Sequence, residues 1–271
     1  MFEGKKLREK LHAGEVCLGT WLNFTDPCVA EILSGSGFDF LIIDSEHSAQ
    51  DIESVQGSIM ATKGSGVAPM VRVAWNDPVL IKRVLDAGAA GVLVPQVCTA
   101  EEATQAIQAC LYPPQGIRGF GPRRPANYER EFSEYINTAN DNLVIWAQIE
   151  HIDAVKNIEE IVRVPRLDGV MMGPCDLSGS LGKLGQTQHP QVLEAIERTL
   201  AAAKANSVPA GMPCPSQPEA AFQWVQKGMQ FITLGGDQSY LTRASHAAVS
   251  GVKKLLSPGG VAGVKDIVSP F

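Results

Sequence analysis

No two cysteines in this chain are spaced C-x-x-C, although six are present, at Cys17, Cys28, Cys98, Cys110, Cys175 and Cys214. That absence argues against a zinc knuckle and a thioredoxin-like redox site. The thiols sit in or beside apolar runs, as small buried hydrophobes of a reducing compartment do. No apolar run approaches the ~20 residues of a membrane span. The first residues, MFEGKKLREKL, are charged throughout and lack the apolar segment of a signal peptide. The expectation is a cytoplasmic protein with no membrane partner. No stretch forms a basic footprint and the formal net charge is −6, so a nucleic-acid partner is not expected either. The chain is 45% apolar and 19% charged, a globular balance that argues against disorder.

Two further absences bear on chemistry. No G-x-G-x-x-G follows the first apolar run, which weighs against an open doubly wound dinucleotide-binding sheet. No lysine falls on a strand pattern. Lys63, Lys82, Lys156, Lys183, Lys204 and Lys227 read as helical or outer-loop residues, and the sixth strand carries Met171 and Met172 instead. A Schiff-base mechanism needs a lysine inside the barrel and is not expected.

What is present is a rhythm. Eight short apolar runs, bounded by Gly, Pro or Asp, read as strands: Cys17–Asn23, Phe38–Asp44, Ala68–Val73, Gly91–Val97, Leu143–Glu150, Leu167–Gly173, Pro209–Cys214 and Phe231–Gly236. Their near-continuous apolarity suits parallel strands covered on both faces. Helical patterns alternate with them at Pro27–Ser36, Asp77–Ala87, Ala100–Leu111, Ala154–Val162, Pro190–Asn206 and Gln217–Lys227. Asp26, Asn76 and Ser216 are placed as N-caps, and Gly35, Gly37 and Gly88 as residues that end helices. Eight such units predict an α/β fold, a (β/α)8 TIM barrel, as a single domain over residues 1–255 with a Gly- and Pro-rich tail over 256–271. Tyr112–Asp141 interrupts the rhythm as a long insertion after the fourth strand, and such loops are usually functional.

Catalytic groups of a TIM barrel lie at the C-terminal ends of its strands. Strand two ends in Asp44-Ser45-Glu46-His47, strand three carries Arg72, strand five ends in Gln148-Ile149-Glu150, and strand six in Gly173-Pro174-Cys175-Asp176. Glu150 and Asp176 come from neighbouring strands, and two close carboxylates stay ionised cheaply only beside a cation. An all-oxygen site with few protein ligands suits Mg²⁺ or Mn²⁺. The alternative is that each carboxylate caps a helix. His47 reads as a general base with Asp44 to orient it, or as a structural loop histidine. Arg72, between Val71 and Val73, must meet a carboxylate or an enolate, since an unpaired buried charge is costly. Arg118, Arg123 and Arg124 in the insertion read either as a grip for an anionic substrate tail or as solvated or subunit-contact groups. Leu234-Gly235-Gly236-Asp237 is placed where many barrels hold phosphate, or its glycines only permit a tight turn.

These motifs also resemble a known family. Gly37-Phe38-Asp39 leading into IDSEH, WNDP at Trp75–Pro78, LDAGA at Leu85–Ala89, YPPQGIRGFG at Tyr112–Gly121, QIE at Gln148–Glu150 and GPCDLSGSLG at Gly173–Gly182 occur together and in order, over about residues 4–255. The chain resembles the metal-dependent class II pyruvate aldolases of the HpcH/HpaI family. The resemblance implies cleavage of a 4-hydroxy-2-oxo acid to a 2-oxo acid, pyruvate or a relative, and an aldehyde, with Mg²⁺, Mn²⁺ or Co²⁺ held by Glu150 and Asp176. Arg72 would steady the enolate and His47 would move the proton. Trp21, Gln148, Pro174, Cys175 and Asp176 would contact substrate, and Asp86 would reach a neighbouring subunit's histidine. It further implies a homohexamer, a trimer of dimers with the last helix exchanged, which would give the tail a neighbour. Beyond RGFG the loop reads PRRPANYER, and strand seven ends Met212-Pro213-Cys214; both depart from the family pattern, on what is expected to be the aldehyde side. Oxaloacetate decarboxylation, citrate-lyase-like cleavage of a CoA ester, and a non-catalytic metabolite-binding barrel are the competing readings.

Overall fold

Eight parallel strands close into a barrel in sequence order, β1 to β8, with β8 pairing back onto β1. The computed structural model describes residues 3–257. The strands are β1 (Cys17–Leu22), β2 (Phe40–Asp44), β3 (Ala68–Arg72), β4 (Gly91–Val94), β5 (Val144–Ile149), β6 (Gly169–Met172), β7 (Ala210–Cys214) and β8 (Phe231–Gly236). All eight expected runs are strands, most trimmed by one to three residues at an end. The trimming falls at the mouth end of β1, β3 and β4, at the opposite end of β2 and β7, and at both ends of β5 and β6. Two compact units divide the chain, one ending at Asp237 and the other beginning at Gln238. The second contains all but the first residue of the long helix α12 (Asp237–Leu256). The tail expected from residue 256 lies, but for its first two residues, outside the described part. Among the described residues no helix is long and apolar enough to cross a membrane.

The lower half of the barrel is filled by rings. Trp146 of β5 stacks on Phe231 of β8 with centroids 4.1 Å apart, and Phe40 of β2 meets Trp146 edge-on at 5.1 Å. Glycines make the room: a Cβ on Gly19 would come within 2.3 Å of the Phe40 ring, and one on Gly211 within 2.2 Å of Phe231. The helix α1 (Glu3–His12) brings Leu7 and Leu11 into this cluster, closing the base of the barrel. With the lower half so packed, the upper half is left to polar groups.

The outer helices follow the expected pattern with local corrections. Asp26 caps α2 (Pro27–Ser34), accepting from the Cys28 N–H. The cap of α4 (Pro78–Asp86) is Asp77, which takes the N–H groups of Val79 and Leu80, rather than Asn76. Asn76 instead donates across to the Glu102 carbonyl at 3.0 Å. Gln217, not Ser216, stands at the cap of α11 (Pro218–Lys227). Gly37 and Gly88 take left-handed φ of 89° and 100°, whereas Gly35 stays right-handed. The helix expected over Ala154–Val162 is two short ones, α7 (Ile152–Lys156) and α8 (Ile158–Ile161). They part at Asn157, whose amide donates to the Cys98 carbonyl at 2.9 Å. The remaining helices are α3 (Ile52–Ala61), α5 (Ala100–Cys110), α6 (Phe132–Thr138), which lies inside the long insertion, α9 (Pro174–Ser180) and α10 (Pro190–Ala205).

Candidate active site

Strand register brings the mouth together. Asp44 and Arg72 are direct partners across the β2–β3 pair. The Asp44 carboxylate accepts from Arg72 Nε at 2.9 Å and from Nη2 at 2.7 Å, a fork-to-fork pair that fixes the guanidinium plane. Both side chains are buried. Glu46 lies 3.1 Å from Nη1 as an ion pair, and the Trp21 ring of β1 covers the guanidinium, its centroid 4.5 Å from Cζ. Trp21 is itself anchored by Nε1 donating to Thr233 Oγ1 at 2.8 Å. A guanidinium has five donors, and Asp44 takes two of them. Glu46 stands beside Nη1, and the donors not facing these two carboxylates remain for a ligand.

Asp44 is fully engaged by this pair and by the backbone N–H groups of Glu46 and His47, at 3.1 and 3.3 Å. The carboxylate nearest the imidazole of His47 is Glu46, 3.8 Å from Nε2, and the His47 side chain is 63% exposed. Asp86, at the end of α4, accepts from Arg118 Nη2 of the same chain at 2.7 Å.

Glu150 follows β5 and is held from two sides. Its Oε1 accepts from the Gln96 N–H at 2.8 Å and its Oε2 from Gln148 Nε2 at 2.6 Å. Gln96 adopts a left-handed φ of 55° in the loop after β4, which presents that N–H. Gly173, at the end of β6, makes this possible from the other side: a Cβ there would lie 2.8 Å from Glu150 Oε2. Burial, together with the negative charges of Glu46 and Asp176, pushes the Glu150 carboxyl up to about 7. Burial likewise raises Glu46, against the pull of Arg72. Asp176 lies in the first turn of α9, exposed at the rim with Cys175 beside it.

The donor set fits a cation. Asp44, Glu46, Glu150 and Asp176 face a single arginine. Gln148 Oε1 is buried with no hydrogen-bond partner, and Glu46 Oε2 has only its ion pair with Arg72; buried acceptors without partners are costly. Among the described residues no group of three or more His, Cys, Asp or Glu side chains is arranged around one point. An ion here would therefore rest on two carboxylates, Glu150 and Asp176, and take water and substrate oxygens for the rest, as Mg²⁺ does.

Two expectations meet a different arrangement. The end of β8 is filled by Asp237, whose carboxylate accepts from the backbone N–H groups of Asn23 and Phe24 at 2.8 and 2.7 Å. An aspartate thus stands where a phosphate was expected. The arginines of the insertion are dispersed. Arg123 is exposed beside Glu129, while Arg118 and Arg124 line a cavity beside the N-terminal ends of β3, β4 and β5. Glu46 and the Gln96 N–H received no role from the sequence. The first was visible inside the SEH triplet. The second is a backbone group that no residue type announces.

Comparison with known proteins converges on one description. The family model for HpcH/HpaI aldolase/citrate lyase matches residues 18–244. The 5-keto-4-deoxy-D-glucarate aldolase of Klebsiella pneumoniae is 37% identical over 249 residues, covering 92% of this chain and 97% of the relative. An HpcH/HpaI aldolase/citrate lyase family protein of Burkholderia cenocepacia superposes with a TM-score of 0.88 at 34% identity, covering 92% of this chain and 99% of that one. The citrate synthase SbnG superposes with a TM-score of 0.82 at 30% identity, covering 91% and 97%.

Proposed function

This chain belongs to the HpcH/HpaI aldolase/citrate lyase family and is a carbon–carbon lyase of the class II aldolase type, and we propose on that premise how its own residues divide the work. The substrate is a 4-hydroxy-2-oxo acid, cleaved between C3 and C4 to pyruvate or a related 2-oxo acid and an aldehyde. The observation that carries this reading is Arg72, locked in plane by Asp44 with donors left over.

Glu150 and Asp176 would hold a divalent ion, Mg²⁺, Mn²⁺ or Co²⁺, which when bound supplies Lewis-acid polarisation of the 2-oxo group. Arg72 then meets the negative charge that develops on the C2 oxygen as the C3–C4 bond electrons move to C3, a contribution typically worth ~3–4 kcal/mol. Because Asp44 and Trp21 fix the guanidinium beforehand, no reorientation is needed as charge develops. His47 takes the proton of the C4 hydroxyl, so that the departing carbon leaves as an aldehyde, and C3 is reprotonated to give the 2-oxo acid. Glu46, beside both Arg72 and His47, couples the two. Gln148 holds Glu150 and presents its orphaned carbonyl oxygen to the site. The same reading carries a homohexamer, tested by sedimentation of the purified protein, and a cytoplasmic location, tested by cell fractionation.

The first experiment is retro-aldol release of pyruvate from a 4-hydroxy-2-oxo acid, coupled to lactate dehydrogenase, with EDTA-stripped protein given Mg²⁺, Mn²⁺ or Co²⁺. Pyruvate released only with metal is the expected result. Turnover that survives EDTA would remove Glu150 and Asp176 from the role of essential ligands. Oxaloacetate belongs in the same assay, since the same metal-stabilised enolate would serve decarboxylation of that acid, the reading to exclude. Oxaloacetate consumed with no cleavage of any hydroxy-oxo acid would replace the aldolase proposal.

A further inference from the structure

A second cavity, of about 490 Å³, opens beside the N-terminal ends of β3, β4 and β5, at the opposite end of those strands from Arg72 and Glu150. Its size is that of an ordinary small-molecule site. Its walls combine apolar side chains such as Ile59, Leu85 and Leu143 with groups whose bonding is incomplete.

Arg124 is half-buried there, and its guanidinium donates to two carbonyls, Ala87 at 3.2 Å and Ile59 at 3.4 Å, while the carboxylate of Glu3 in the same lining acts on it by charge. Burial lowers its hold on the proton more than Glu3 restores it, so its charge is only partly compensated. Arg118 is 3% exposed and uses Nη2 for Asp86, yet its Nε has no partner. The Asn142 Oδ1 is likewise buried and unpartnered. Lys63, exposed, lies at the rim. Against these cations the lining also carries three carboxylates, Glu3, Glu131 and Glu134. A ligand for this cavity therefore needs both an anionic end, for Arg124 and the spare donor of Arg118, and hydroxyl donors, for Asn142 Oδ1 and the carboxylates.

We propose that this cavity is a binding site, separate from the catalytic mouth, for a small hydroxylated carboxylate. Such a ligand would join groups at one end of β3 and β5 whose other ends carry Arg72 and Glu150. The proposal rests on the cavity alone and does not depend on the reaction proposed for the mouth.

The test is isothermal titration calorimetry of the full-length, EDTA-stripped protein with gluconate, which has no 2-oxo group and cannot be cleaved. One saturable site per chain is expected, weakened at least about tenfold by Arg124→Gln, the loss of a charge-assisted bond. Acetate, which lacks the hydroxyls, should bind at least about tenfold more weakly than gluconate. Because Arg124 also ties down the Ala87 and Ile59 carbonyls, Lys63→Glu at the exposed rim serves as a second variant, expected to fold normally and to weaken gluconate binding. Binding that is lost in Arg72→Ala but kept in both cavity variants would place the anion in the mouth and overturn the proposal. So would acetate binding as tightly as gluconate, or no saturable binding at all.

Discussion

Asp44 and Arg72, direct partners across two parallel strands, meet through two hydrogen bonds of 2.9 and 2.7 Å inside the barrel mouth. The pair needs the planar fork of arginine, so Arg72→Lys is not a conservative change. A lysine keeps the charge, loses the second bond to Asp44, and leaves the C2 oxygen without a fixed donor. We expect kcat/KM for pyruvate release to fall by about 100-fold or more, with Mn²⁺ binding unchanged by calorimetry. A variant within a few-fold of the parent would show that orientation of the guanidinium is unimportant.

Gly173→Ala tests the carboxylate proposed to hold the metal without removing it. The added Cβ meets Glu150 Oε2 at 2.8 Å and Gln148 Nε2 at 3.0 Å. Displacing that carboxylate should raise the Mn²⁺ dissociation constant by about tenfold or more, while the barrel still melts cooperatively. Unaltered metal affinity would mean that Glu150 is not a ligand.

The pH dependence of metal-linked stability follows from Glu150, whose folded-state value near 7 lies above the ~4.3 of an unfolded chain. Between those values the folded protein binds the extra proton, so metal-free stability falls as pH rises from about 4.3 to about 7, by on the order of 3 kcal/mol. In the proposed role a divalent ion would take the proton's place once the carboxylate is ionised. The rise in Tm on adding Mn²⁺ should therefore be larger at pH 8 than at pH 5.5. Glu150→Gln should make the metal-free protein more stable than its parent at pH 8 and abolish the response. An equal Tm gain at both pH values would contradict the assignment.

Asp168 separates stability from activity. It is buried, accepts the Ile145 N–H at 2.9 Å and pairs with Arg166 at 2.9 Å, and burial raises its carboxyl above the usual range. Asp168→Ala leaves both partners unmatched and should cost about 2–4 kcal/mol in urea denaturation. It lies before β6, at the end of that strand opposite Gly173, so kcat for the folded fraction should be unchanged. A loss of kcat without loss of stability would refute this division.

The amino-acid order by itself determined the barrel. Eight apolar runs separated by amphipathic stretches leave few arrangements that bury both faces of a parallel sheet, and β5 and β8 carry their expected residues nearly end to end. It also determined which charges stand at strand ends, because Asp44, Arg72, Glu150 and Asp176 interrupt or terminate apolar runs that have no use for them. Tertiary structure alone decided whom each charge meets. Asp44 spends its carboxylate on Arg72, its neighbour across 28 residues of sequence, and Glu46 is left nearest the His47 ring. Arg118 and Arg124, read from sequence with Arg123 as one basic group, are carried by the insertion to the far end of the barrel, while Arg123 pairs with Glu129 in solvent. The physical reason is one of range. Period and hydropathy act within a strand or a turn of helix, whereas the partner of a buried charge is fixed by register and loop path, which bring together residues that no local pattern relates.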